Sequence, residues 1–82
     1  MEETHEIQIS AKQSVSEVLR IAQEKSLPVI VNLAGGGRYS GRVKDQSPGA
    51  VVIWRVAGKE NFDIYIPTGP ITSVELEVRV GK

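Results

Sequence analysis

The hydrophobic pattern of the chain changes its period once. Val15, Val18, Leu19 and Ala22 recur at helical spacing and form one stripe, leaving Arg20, Gln23, Glu24 and Lys25 for water. Ser14 precedes the stripe and Glu17 stands three residues on, the spacing of a capping box. Pro28 follows, and the residue before a proline avoids helical geometry, so a helix is predicted over about 14–26. Beyond Pro28 the period is two. Val29, Val31 and Leu33 share one face; Tyr39, Gly41 and Val43 share the next, with Arg38, Ser40, Arg42 and Lys44 opposite them. The run "AVVIWRV" is β-branched and continuous, which predicts burial on both faces for part of its length. Phe62, Ile64 and Ile66 alternate with Asp63 and Tyr65; Val74, Leu76, Val78 and Val80 alternate with Ser73, Glu75, Glu77 and Arg79. Strands are predicted at about 29–34, 38–45, 50–57, 62–66 and 71–80, joined by short turns. One helix, five strands and no crossover helix predict a mainly β fold, a strongly bent antiparallel sheet forming a small open barrel. Residues 1–13 read as an N-terminal arm, in which "EIQIS" alternates enough for a short strand, and 14–82 as a single domain.

Composition narrows the function. A domain of 82 residues has a thin stability margin, and oligomerisation is a common remedy. Ten basic and ten acidic residues balance, which argues against broad electrostatic capture of nucleic acid or anionic membrane and leaves room only for a local basic patch. Without cysteine there is no disulfide framework and no thiolate zinc site. The acidic, polar start lacks the pattern of a signal peptide, and no apolar run approaches a membrane span, so a soluble cytoplasmic protein is expected.

Candidate chemistry is sparse. Gly35, Gly36 and Gly37 suggest a phosphate loop, but such a loop needs a helix directly after it, and here alternation follows. A tight hairpin turn with positive φ at Gly36 and Gly37 fits better. Gly41, inside a strand, predicts a sharp bend or a close backbone approach. The single histidine, His5, lies in the arm, and Glu75 and Glu77 share a strand face that points to solvent. Asp45, Asp63 and His5 do not promise converging metal ligands. No catalysis, cofactor or metal is therefore expected. Trp54, alone in a small barrel, suits a core or a subunit interface, and Tyr65 points away from the Phe62–Ile66 face toward an interface or solvent.

The stretch "VIVNLAGGGRYSGRV" resembles the first signature of Sm-like proteins, the family of Sm, LSm and Hfq. Val29, Val31, Leu33, Gly36, Gly41 and Val43 match that signature in order and spacing. "IYIPTGPITSVEL" is similar to the second signature, with Ile66 and Ile71 keeping its five-residue interval. The resemblance covers roughly Ser14 to Val78 and suggests a divergent bacterial, archaeal or phage member. The departures concern the nucleotide pocket. Where the family carries Asp and Asn after the second strand, this chain has "KDQSPGA", with Asp45 two places early and no Asn. Where Sm and LSm proteins carry an Arg-Gly pair, Pro67, Thr68 and Gly69 stand here, and the Lys-His pair of Hfq is absent.

The resemblance implies a cyclic homo-oligomer of five to seven subunits, in which the fourth strand of one copy pairs with the fifth of the next. Phe62, Ile64, Tyr65, Ile66, Ile71, Val74 and Leu76 would then form the interface. Asp45, Gln46, Ser47, Thr68 and Gly69 would line a pore for single-stranded RNA, and Arg38, Arg42 and Lys44 would meet its phosphates. The alternative is a structural or protein-interaction ring that has lost the usual nucleotide pocket. A monomeric barrel acting as a peptide adaptor is a third reading.

Overall fold

Ser14 begins the helix as its spacing predicts. Its hydroxyl accepts from the Glu17 amide, and the Glu17 carboxylate accepts from the Ser14 amide at 2.9 Å, so both halves of the capping box are present. The computed structural model describes residues 9–77, and α1 spans Val15–Lys25. Ser26, not Pro28, ends it. Ser26 adopts a left-handed conformation (φ 53) and returns its amide to the carbonyls of Ala22 and Gln23. Pro28 instead opens the first strand.

Five strands follow: β1 Pro28–Leu33, β2 Arg38–Gln46, β3 Ala50–Ala57, β4 Glu60–Pro67 and β5 Ile71–Leu76. All pairings are antiparallel, in the order β4-β3-β2-β1-β5. The last strand therefore pairs with the first, and β4 and β5 are the two edges of a sheet that does not close on itself. The expected barrel is not completed within the described chain. The sheet is nevertheless forced to curl. Flat, its edge strands would lie about 19 Å apart. The link from Pro67 to Ile71 spans at most about 14 Å fully extended. The strand expected over about 71–80 ends at Leu76; Val78 to Val80, and most of the N-terminal arm including "EIQ", lie outside the described residues.

The core lies between α1 and one face of the sheet. Leu19 and Ala22 of the helix meet Val29, Val31, Val43, Val51, Ile53 and Ile66. The expected two-sided burial of β3 does not occur. Val51 and Ile53 are buried and Val52 is half-buried, while Trp54 to Ala57 are exposed. The helix covers only one face of the sheet, and the far half of the β3–β4 hairpin extends beyond it.

Two local devices shape β2. At Gly41 a Cβ would collide with the Trp54 carbonyl oxygen and approach Ile53 Cγ2 to 2.6 Å. The close backbone approach read from the sequence is there, and it brings β3 across β2. A register shift between Val43 and Asp45 then leaves an extra residue in β2. It lets Val43 and Gln46 both face the helix side, where strict alternation would separate them. In the β1–β2 hairpin only Gly36 takes positive φ (95); Gly37 does not. The Gly37 carbonyl instead accepts from the Leu33 amide at 2.8 Å and closes the turn.

Candidate functional site

The residues expected to line a pore divide between two turns. Asp45 and Gln46 end β2 and Ser47 begins the β2–β3 turn; Thr68 and Gly69 lie between β4 and β5. Curling of the sheet brings these turns together. The Thr68 amide donates to the Gly49 carbonyl at 3.0 Å, and its hydroxyl donates to the Pro48 carbonyl at 2.7 Å. The Ser47 amide donates to the Ala50 carbonyl at 2.8 Å and tightens the first turn. Not every predicted group points there. The register shift aims Gln46 at the helix, where its side-chain oxygen accepts from the Ser16 hydroxyl at 3.1 Å. Asp45 Oδ1 is occupied by the Gln46 amide at 2.9 Å. A shallow cleft of about 160 Å³ separates Asp45, Gln46 and Ser47 from Tyr65.

The three cations of β2 are not equivalent. The Arg42 guanidinium donates to the Ser26 carbonyl at the C-terminus of α1, where the helix dipole favours positive charge. Lys44 Nζ pairs with Asp63 Oδ2 at 2.7 Å. Both side chains of that pair are about half exposed, so it contributes at most about 1 kcal/mol. Arg38 lies at the other end of β2, opposite Asn32, and has no side-chain partner among the described residues. Arg38 and Lys44 are six steps apart along the strand, or about 20 Å. The triplet thus shares a face but does not form one cluster.

Of the two places expected for Trp54, a core or a subunit interface, the core is not the one it takes. It is 39% exposed on the sheet face away from the core, directly opposite Arg42 on β2 and Asp63 on β4. The signal was present in the sequence. Once Val51 and Ile53 face inward, alternation sends Trp54 outward. Glu75 is exposed as expected, and at the surface it accepts from Asn32 Nδ2 at 2.9 Å, while the same amide donates to the Ser73 hydroxyl at 2.9 Å.

The expected interface residues lie on the two edge strands. Ile66 is buried in the core, and Ile64, Ile71, Val74 and Leu76 pack partly against it. Tyr65 is 69% exposed, and Phe62 is also exposed, with the Arg55 guanidinium 5.5 Å above its ring. Among the described residues no polar or charged side chain is buried, and no three metal-ligating side chains converge. No helix among the described residues is long and apolar enough to cross a membrane. This arrangement offers exposed cations, aromatic rings and hydrogen-bonding turns, the groups used to hold a partner. No family model matches the chain, and neither a curated protein nor a solved structure is found to match it.

Proposed function

We propose that the chain is a ring-forming Sm-like protein that binds single-stranded RNA and catalyses no reaction. The observation that carries this reading is the strand order, which leaves β4 and β5 as the free edges of one curled sheet. An exposed edge is a row of unpaired amides and carbonyls that another strand can satisfy. Neither edge is defended by lysine: the β4 sequence is ENFDIYIP and the β5 sequence is ITSVEL. Pairing β4 of one copy with β5 of the next satisfies both edges and completes an open barrel of Sm type. Repeated around an axis, it closes a cyclic assembly. The family resemblance implies five to seven copies, and the lack of a signal-peptide pattern at the start of the chain favours a cytoplasmic location.

In such a ring the joined turns at Ser47 and Thr68 face the pore, and Thr68, Gly69, Ser47 and Asp45 meet bases by hydrogen bonds. The test is binding of a labelled single-stranded oligoribonucleotide across a salt series. Affinity falling linearly in log–log form with salt supports phosphate contact, and absence of binding contradicts the RNA reading.

A structural or protein-interaction ring is the second reading. What favours it is that Arg42 and Lys44 already serve the Ser26 carbonyl and Asp63. Under that reading the ring persists and no oligonucleotide binds.

A further inference from the structure

Trp54 stands in a cross-strand row that runs Pro28, Arg42, Trp54, Asp63 over β1 to β4. It lines two clefts, one beside the C-terminus of α1 and one at the start of β1. One, of about 330 Å³, lies between Trp54 and Ser26, Arg42 and Lys44. The other, of about 260 Å³, lies between Trp54 and Pro28, Arg42 and Arg55. The cations beside the ring are held in place. Arg42 spends one donor on the Ser26 carbonyl and keeps the rest of its guanidinium fork. Lys44 is tied to Asp63 at 2.7 Å, with more than half of its side chain still in contact with solvent. In a chain of zero net charge, two cations, Arg42 and Lys44, and one carboxylate, Asp63, lie beside this aromatic residue.

We propose that the outer sheet face at Trp54 is a binding platform for single-stranded RNA, separate from the pore-side turns. One base stacks on the exposed indole, and the flanking phosphates meet Arg42 and Lys44. The inference rests on the RNA-binding reading and places a contact of that activity on an unpaired face. A face already holding cations beside an aromatic ring needs little side-chain ordering when the strand arrives, which lowers the cost of binding. Stacking on an aromatic side chain tolerates any base, so this platform contributes affinity with little sequence preference. β3 is an inner strand, so closure of the ring through β4 and β5 leaves Trp54 uncovered.

Trp54 is the only tryptophan of the chain, so its fluorescence reports this site alone. The 82-residue chain is titrated with uridine and adenosine nonanucleotides while their binding is followed independently by the anisotropy of a label on the RNA. The platform predicts quenching of Trp54 that saturates with the anisotropy for both oligonucleotides. It also predicts about tenfold or greater loss of affinity in Trp54→Leu, and a smaller loss in Trp54→Phe, which keeps a ring. The wild-type titration stands even if a variant fails to fold. Anisotropy that saturates while Trp54 fluorescence stays unchanged overturns the platform and leaves the pore-side RNA reading intact. Absence of RNA binding overturns both. Equal quenching by polyglutamate reassigns the surface to an acidic protein partner and also overturns the proposal.

Discussion

Gly41 shows how one atom decides the path of the sheet. Its missing Cβ is the space that the Trp54 carbonyl and the Ile53 side chain occupy. Gly41→Ala must push β3 away from β2 or distort both strands. It is expected to lower stability by about 1–3 kcal/mol or more, the range for overpacking a tight site, read as a lower urea midpoint. Gly35→Ala is the control, because nothing lies within 4 Å of a Cβ there and its φ is not positive. Equal effects at the two positions would contradict the close approach as the cause. The position was legible because a glycine interrupting strong alternation has few explanations. The exposure of Trp54 follows the period of its own strand, in which Val51 and Ile53 face inward, and not its residue type.

At the level of elements, the helix is held by its cap and by one apolar contact line. Ser14→Ala removes the side-chain acceptor of the Glu17 amide and is expected to cost about 1 kcal/mol. Leu19→Ala removes a fully buried side chain at the centre of the helix–sheet contact and is expected to cost about 2–5 kcal/mol. Urea unfolding followed by circular dichroism separates the two magnitudes. A Leu19→Ala cost no larger than that of Ser14→Ala would mean that α1 is not anchored through this line. The order of one helix and then five antiparallel strands could be read from period and turn residues, since each element carries its own pattern. The pairing of β5 with β1 could not. That choice depends on the curl set by a short link between opposite edges and by Gly41, a long-range constraint with no local signature. The register shift at the end of β2 was equally hidden, because one added residue leaves the composition of the strand unchanged. It turns Gln46 toward α1 and removes it from the set of residues facing the turns.

At the scale of the molecule, the two open edges decide the assembly. Tyr65→Lys tests them with little risk to the core, because Tyr65 is among the most exposed large residues and Lys on an edge opposes strand addition. The assembly is expected to dissociate or weaken, with the circular dichroism spectrum of the subunit retained. Ile64→Asp, on a side chain packed partly against the core, is expected to dissociate or unfold it. An assembly unchanged by both substitutions would exclude β4 from the interface. The most direct measurement is the molar mass of the full chain in solution by light scattering at micromolar concentration. A single species of five to seven times the 8.9 kDa chain mass is expected, stable on dilution through that range. A monomer of 8.9 kDa would contradict it, for the edges would then stand open in water and the ring, with its pore, would not exist.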